Sequence, residues 1–305
     1  MSRRSDASQA GDPAYQFASP DQVGNELRGT GYLPNERISS VVYLGERLGK
    51  PVLVEGPAGT GKTELAKSVA AATGRRLIRL QCYEGLDEAK ALYEWNYSKQ
   101  LLRIQAERTG DERETTDWTS LQADIFGEEF LLTRPLLAAI RAPDPAVLLI
   151  DEVDRLDVET EALLLEVLSD YQISIPELGT ITSTQTPLVF LTSNNSRDLS
   201  EALKRRCLYL YLDYPTPERE QAIVLSRVPG LSAALADQIT RVVGSLRRLD
   251  LKKRPSVSET IDWARTLSLL GAEEIGTELI IDTMPVLLKH QPDIEKASAE
   301  FRRTR

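Results

Sequence analysis

Residues 56–63 read GPAGTGKT and directly follow a short apolar run, PVLVE. Glycines at this spacing let a loop wrap so that successive backbone N–H groups point at phosphate oxygens, and a helix starting at once adds its N-terminal dipole. The lysine would reach the terminal phosphates and the last threonine would ligate Mg²⁺. The alternative is a glycine-rich turn without a ligand. The pattern predicts nucleotide contacts from Gly56, Pro57, Ala58, Gly59, Thr60, Gly61, Lys62, Thr63 and Glu64.

A second apolar run, VLLIDEVDR, ends in two adjacent carboxylates, Asp151 and Glu152. A carboxylate at such a place can simply cap the next helix. Two in succession downstream of a phosphate loop fit another role, in which Asp151 holds Mg²⁺ directly or through water and Glu152 polarises the attacking water. Asp154 and Arg155 are assigned no chemistry.

A third apolar run, LVFLTSNN, ends in polar residues. Asn194 is the candidate for contacting the γ-phosphate or the attacking water. Capping of the next helix by Asn195 or Ser196 is the alternative interpretation.

Two adjacent arginines, Arg205 and Arg206, precede another apolar run in EALKRRCLYLYL. Arginine cannot shed its charge and is costly to bury unpaired. A solvated helix C-terminus would suit these cations. The alternative is a role outside their own chain, as counter-charges to phosphate.

The composition limits the classes of function. The chain has 305 residues, of which 41% are hydrophobic and 27% charged, and a net charge of −9. That balance is typical of a soluble globular protein and disfavours general attraction to nucleic acid or anionic membranes. No apolar run approaches the ~18 residues of a membrane span, and the start of the chain lacks an apolar signal core, so we expect a cytoplasmic protein. One histidine and two cysteines make a zinc site unfavourable.

The elements that must position these residues follow from the apolar pattern. Short apolar runs separated by helical stretches indicate a parallel α/β sheet that is covered on both faces. Insertions interrupt it near 84–130, with a hairpin or kinked helix before a charged loop, and near 171–183, with a β-hairpin. The predicted strands are 51–55, 77–82, 147–150, 188–192 and 208–212, and the predicted C-terminal helices are 217–228, 232–248, 256–270 and 275–289.

The pattern of strands and helices divides the chain into four parts. We expect a mobile N-terminal segment over 1–25, an α/β domain over 26–214, a small all-helical lid domain over 215–295, and a basic tail over 296–305.

Taken together, the motifs resemble those of the AAA+ ATPases, and specifically of the MoxR branch. GPAGTGKTELAK, VLLIDEVDR, TSNN and ALKRRCLY occur in the right order, with an IPELGTI hairpin between the second and third. IRLQCYEGLDEAKALYEWNY and SVSETIDWARTL resemble the CoxD-type subgroup, accessory ATPases of carbon monoxide dehydrogenase and similar molybdenum enzymes. The resemblance covers about residues 20–290.

The resemblance implies a P-loop fold whose five core strands, counted along the chain, lie in the order 5-1-4-3-2. That order would place the strand of Asn194, the first sensor, between the phosphate loop and the acidic pair. It implies ATP and Mg²⁺ as ligands, bound between the subunits of a ring that is usually hexameric. Arg206 matches the arginine finger best, and Arg205 is the second candidate.

The resemblance also implies partners. Members generally work with a protein bearing a von Willebrand factor A domain and act as chaperones that activate client metalloenzymes or insert their cofactors.

One position departs from the pattern of the family, because Ser256 stands where a lid arginine would contact ATP. Lys253 and Arg254 lie nearby.

Three other functions remain as rivals to an ATP-hydrolysing remodelling chaperone. A nucleotide-gated scaffold with little turnover would need no intact acidic pair. A nucleic-acid motor or clamp loader is disfavoured by the negative charge, and a small-molecule kinase lacks a recognisable acceptor site.

Overall fold

The structure is a computed structural model that describes residues 16–108 and 125–303. Five strands form one parallel sheet in the order β2-β5-β8-β1-β9. With β3, β4, β6 and β7, which form two separate small sheets, left out of the count, this is the order 5-1-4-3-2, so the expected fold is confirmed. The strands are β1 (Val52–Glu55), β2 (Arg76–Gln81), β3 (Tyr93–Trp95), β4 (Leu131–Thr133), β5 (Ala146–Asp151), β6 (Gln172–Ile175), β7 (Gly179–Thr182), β8 (Leu188–Ser193) and β9 (Leu208–Tyr211).

Helices cover both faces of this sheet and then form a C-terminal helical region, which we call the lid after the prediction. None of the helices in the described ranges is long and apolar enough to cross a membrane. The helices are α1 (Pro20–Gly29), α2 (Glu36–Leu48), α3 (Lys62–Thr73), α4 (Glu88–Ala91), α5 (Tyr97–Arg108), α6 (Pro135–Ile140), α7 (Val158–Asp170), α8 (Glu201–Arg206), α9 (Pro217–Arg227), α10 (Ala233–Arg248), α11 (Val257–Leu269), α12 (Thr277–Leu287) and α13 (Gln291–Arg303).

The interior strand β5 shows why a continuous apolar run forms here. Its side chains alternate between the two faces of the sheet. Val147 and Leu149 pack into a core with α1, α2 and α3, whereas Leu148 and Ile150 join the core under α6 and α7. Because both faces are covered, every position of β5 is buried.

The N-terminal part of the chain differs from the prediction. Residues 1–15 lie outside the described residues, but the predicted mobile segment does not extend to 25. Helix α1 begins at Pro20 with the Ser19 side chain as its N-cap. Phe17, Val23 and Leu27 are buried in the core beside α3. These three apolar residues are dispersed among polar ones, so the sequence pattern did not predict an ordered helix. Their contacts with the core nevertheless anchor the segment.

The C-terminal end also differs. Residues 296–303, predicted as part of a basic tail, belong to helix α13. Ala297 is fully buried and Phe301 packs against the lid core around Trp263. The apolar residues recur at helical spacing, and Arg302 and Arg303 occupy the last turn, where cations are favourable.

Each of the two insertions contains a small antiparallel sheet of two strands. In the first, β3 pairs antiparallel with β4, and α5 lies between them in sequence, so neither a simple hairpin nor a kinked helix describes it. Most of the predicted charged loop falls in 109–124, outside the described residues. In the second, β6 and β7 form the predicted hairpin.

Candidate nucleotide and magnesium site

The loop between β1 and α3 is shaped to hold phosphate. Gly56, Gly59 and Gly61 have φ angles of 149°, 73° and 94°, which residues with a side chain rarely adopt. A Cβ on Gly56 would lie 2.0 Å from the carbonyl oxygen of Leu212, so only glycine fits there. Helix α3 has no side-chain cap at its N-terminus. Its first N–H groups therefore remain available to an anion.

Lys62 lies inside this loop. Its ammonium group donates to the carbonyl oxygens of Gly56 and Pro57 at 2.8 and 2.7 Å, and the residue is only 6% exposed. Burial lowers the pKa of Lys62 to about 8, against the opposing effect of nearby carboxylates, of which Asp154 and Asp151 are the strongest. A buried cation that bonds only to neutral carbonyls is placed to donate hydrogen bonds to phosphate oxygens.

Asp151, at the end of β5, is buried and hydrogen-bonded through both oxygens. Its Oδ1 accepts from the Thr63 hydroxyl at 2.9 Å and from the Thr192 hydroxyl at 2.5 Å. Its Oδ2 accepts from the Arg79 guanidinium at 2.5 Å. Helix α7 is capped by Asp157 instead, so capping does not explain the acidic pair.

These donors fit a magnesium ion. The Thr63 hydroxyl and the Asp151 carboxylate are hard oxygen ligands that already touch each other. Among the described residues, no cluster of three or more acidic, cysteine or histidine side chains could hold a metal alone. One carboxylate and one hydroxyl suit Mg²⁺, which takes its other ligands from water and nucleotide phosphates.

Glu152 follows Asp151 in a left-handed backbone conformation, with φ of 60°. This is uncommon for a residue with a side chain, and such conformations cluster at functional sites. Its N–H donates to the Thr192 hydroxyl at 2.9 Å. Its carboxylate is one-third exposed and forms an ion pair with Arg155 at 2.7 Å. Glu152 is thus presented at the surface of the site while Asp151 is buried beneath it.

Asn194 follows the adjacent strand β8, and Asp154 supports its loop. The Asp154 carboxylate accepts from the N–H and hydroxyl of Ser196 at 2.9 and 2.6 Å. Burial would raise the pKa of Asp154, but these hydrogen bonds outweigh it and lower the pKa. The next helix, α8, is capped by Ser200, so Asn195 and Ser196 are not its caps.

One cavity of 260 Å³ brings the separate motifs together. Asn194 and both acidic residues face the phosphate loop across it. Gly56 and Pro57 contribute the carbonyls that hold Lys62, and Thr60 lines a neighbouring cavity. The cavity is lined by Ala58, Gly59, Gly61, Lys62, Thr63, Glu64, Asp151, Glu152, Thr192, Asn194 and Ser258.

The lid reaches this cavity through the start of α11. Ser258 lines the cavity, and a Cβ on Gly59 would lie only 2.3 Å from the Ser256 hydroxyl oxygen. Neither Lys253 nor Arg254 is among the lining residues. Lys253 forms an ion pair with Glu259 at 3.2 Å, and Arg254 is exposed. Serine side chains therefore stand where a lid arginine is expected.

The two adjacent arginines lie outside the cavity, at the end of α8. Arg206 donates to the Ser169 hydroxyl at 2.7 Å and to the Ala202 carbonyl at 3.1 Å. Arg205 is exposed and makes no hydrogen bond or ion pair with another described residue. Their guanidinium groups do not contribute to the site of their own chain.

Several residues that hold the site together were not predicted from the sequence. Thr192 joins the two acidic residues, Asp154 anchors the loop after β8, and Ser258 brings in the lid. A hydroxyl in TSNN and a third carboxylate in DEVD were visible signals. Their partners are 41 and 42 residues away in sequence, however, so the contacts could not be read locally.

A comparison with protein families matches residues 51–207, from β1 to the end of α8, to the AAA domain, dynein-related subfamily. The chain belongs to this AAA family. As an AAA protein it is an ATPase, and the matched region contains the phosphate loop, the acidic pair and the strand of Asn194.

Among curated proteins, this AAA chain is similar to NorQ of Paracoccus denitrificans, with 26% identity over 79% of this chain and 81% of NorQ. It is 27% identical to the gas vesicle ATPase GvpN of Haloferax mediterranei, over 84% of this chain and 74% of GvpN. It is 23% identical to the denitrification regulatory protein NirQ of Stutzerimonas stutzeri, over 70% and 69% of the two chains.

Among solved structures, the chain is similar to RuvB, a Holliday junction branch migration motor of Thermotoga maritima. The TM-score is 0.47 at 21% identity, over 83% of this chain and 67% of RuvB.

Proposed function

We propose that this AAA ATPase is a MoxR-type remodelling chaperone whose ATP hydrolysis moves the helical lid against the α/β domain. The observation that carries the proposal is the shared cavity, in which Ser258 of the lid faces Lys62 and the acidic pair. Loss of the terminal phosphate would therefore directly change the contacts of α11 with the site. Rigid helices can pass such a change to a bound protein.

The chemistry assigns a distinct role to each residue. The phosphate loop and Lys62 bind the phosphates, and Thr63 with Asp151 would hold Mg²⁺, which neutralises phosphate charge when bound. Glu152 polarises the attacking water, and Asn194 contacts that water or the γ-phosphate.

The proposal requires more than one copy of the chain. Lys62 is the only cationic residue among the described residues that line the cavity. Charge that develops on the γ-phosphate needs further stabilisation in the transition state. Arg206, or Arg205 beside it, would supply it from a neighbouring subunit of a ring, which we propose to be hexameric.

The partners are proposed by similarity. NirQ is described as a denitrification regulatory protein, and the client is proposed to be a metalloenzyme because the MoxR and CoxD-type resemblance implies one. A protein with a von Willebrand factor A domain would complete the system, as the MoxR and CoxD-type resemblance implies. Free thiols at Cys82 and Cys207 agree with the proposed cytoplasmic location.

The decisive experiment separates binding from turnover with Glu152→Gln. We expect ATP affinity within about twofold of the unaltered protein, because the phosphate loop is intact, and a loss of turnover of at least about 100-fold. Fluorescent-nucleotide titration and phosphate release measure the two quantities. Glu159→Gln, an exposed carboxylate on α7, is the matched control and should behave normally.

Two results would contradict the proposal. Full turnover by Glu152→Gln would remove its role in activating water. Turnover that is equally low in the unaltered protein, with and without a von Willebrand factor A partner, would favour the nucleotide-gated scaffold.

A further inference from the structure

Arg79 lies on the edge strand β2 and reaches the carboxylate at the end of β5. In the parallel register Gln81 pairs with Asp151, and Arg79 precedes Gln81 by two positions, on the same face of the sheet. The Arg79 guanidinium donates to Asp151 Oδ2 at 2.5 Å and also contacts the Gln81 amide oxygen. The Arg79 side chain is 46% exposed, whereas that of Asp151 is only 4% exposed.

This contact supplies the charge balance of the site without metal. A buried carboxylate is costly unless it is paired. The Asp151 Oδ1 has only neutral hydroxyl donors, and Lys62 bonds to loop carbonyls instead. Among described residues, Arg79 alone forms an ion pair with Asp151.

We propose that Arg79 is a resident counter-ion that Mg²⁺ must displace from Asp151, and that it thereby sets the Mg²⁺ concentration at which nucleotide is held. The inference rests on the proposed function, in which Asp151 is a metal ligand. Arg79 does not touch the nucleotide cavity and acts only through Asp151, so it is a positioning residue.

The pair is built to be displaced. The Arg79 side chain is half-exposed, so its guanidinium can return to water on leaving Asp151 and is not left buried without a partner. Gln81 offers Arg79 a neutral acceptor two residues along the same strand, so the guanidinium keeps a partner after it leaves Asp151. A divalent ion binding between Thr63 and Asp151 would also repel the guanidinium.

A structural role is the competing explanation, because Arg79 could serve mainly to fasten the edge strand β2 to β5. The two explanations differ in their signature. A fastening residue changes stability and leaves metal affinity alone, whereas a counter-ion changes the Mg²⁺ requirement.

The test is a Mg²⁺ titration of nucleotide binding with Arg79→Gln. Binding of a fluorescent, slowly hydrolysed ATP analogue is measured in EDTA and at increasing free Mg²⁺. Nucleotide affinity should increase with free Mg²⁺. We expect the Mg²⁺ concentration that gives half of this increase to fall by about fivefold, because one repelling positive charge is removed near a divalent ion. In EDTA, the affinity for the ATP analogue should stay within about twofold of that of the unaltered protein, since Arg79 does not line the cavity.

Two variants control for charge and position. Arg79→Lys keeps the charge and should retain the unaltered Mg²⁺ requirement. Arg76→Gln removes an exposed arginine from the same strand that makes no hydrogen bond or ion pair with other described residues, and it should also leave the requirement unchanged. An Arg79→Gln requirement that is unchanged or higher overturns the inference.

A second measurement uses the unaltered chain and keeps the inference testable if Arg79→Gln folds poorly. A crystal structure with Mg²⁺ and ADP should show the Arg79 guanidinium away from Asp151 and still on Gln81. A guanidinium that remains on Oδ2 beside the bound metal overturns it. If no nucleotide binds in either condition, the proposed function itself fails, which is a different result from normal binding with an unshifted Mg²⁺ requirement.

Discussion

At the scale of single residues, one hydroxyl aligns both acidic groups of the site. Thr192 Oγ1 donates to the Asp151 carboxylate and accepts from the Glu152 N–H, and the residue is 2% exposed. The left-handed backbone of Glu152 is held partly by this bond. Thr192 therefore fixes the spacing between the proposed metal ligand and the proposed catalytic glutamate.

Thr192→Val keeps a β-branched side chain but removes the hydroxyl. We expect turnover to fall by at least about tenfold, because Glu152 loses a bond that orients it. The free energy of unfolding should drop by about 1–2 kcal/mol, because two hydrogen bonds of a buried hydroxyl are lost. Phosphate release and denaturant unfolding measure these effects.

Thr192→Ser retains the hydroxyl and is the control for the valine variant. It should keep most of the turnover. Normal turnover in Thr192→Val would show that the backbone of Glu152 is held by other contacts.

At the scale of elements, the contact between α11 and the phosphate loop couples the lid to the site. Ser256 caps α11 in a reciprocal capping box with Glu259 and packs against Gly59. A buried network joins α11 to its neighbours. In it, the Arg247 guanidinium donates to both Glu220 oxygens at 2.6 and 2.7 Å, and Thr260 donates to Glu220 at 2.7 Å. The start of α11 is thus held rigidly by the lid.

Gly59→Ala places a methyl group where Ser256 already lies. A Cβ there would be 2.3 Å from the serine oxygen, so the loop or the lid must shift by about 1 Å to reach van der Waals distance. We expect ATP affinity to fall by at least about tenfold, because phosphate contacts depend on positions of this precision. Fluorescent-nucleotide titration measures the change.

Gly74→Ala is the matched control. Gly74 also has a positive φ, of 65°, but a Cβ there would meet nothing within 4 Å. Both variants should lose about 1 kcal/mol of stability from backbone strain. Only the variant at Gly59 should lose affinity, and equal loss at both positions would rule out the lid contact.

At the scale of the whole molecule, the role proposed for Arg205 and Arg206 lies in another copy of the chain. Both are exposed at the end of α8, and neither lines the cavity of its own chain. Arg206 bonds only to neutral partners, which a phosphate could replace. The ring expected from the family would bring such a surface against a neighbouring site.

Arg206→Ala should bind ATP normally and lose turnover by at least about 100-fold, because the cation acts in the transition state. Mixing it with Glu152→Gln should restore activity, since some interfaces then combine an intact glutamate with an intact arginine. Turnover as a function of the mixing ratio measures the effect. Arg205→Ala, tested in the same way, distinguishes the two candidates, and absence of rescue for both would place the finger elsewhere.

Much of this protein is determined by local sequence. The phosphate loop, the acidic pair and the residues after β8 each carry their chemistry within a few positions, and the interior strands β1, β5 and β8 are near-continuous apolar runs. Such signals are readable because short-range backbone geometry and burial on both faces dictate the residue types. Weakly apolar segments such as α1 and α13 were missed, because only packing against distant residues stabilises them.

The tertiary structure alone decided which groups meet. Thr192 lies 41 residues from Asp151, and Arg79 lies 72 residues from it, yet all three share one corner of the sheet. Parallel order places the ends of β2, β5 and β8 side by side, so their side chains interact across strands. The sequence by itself determined that phosphate chemistry occurs here. The packing of strands and lid decided which neighbours balance the charge of that site, because those contacts join residues far apart along the chain.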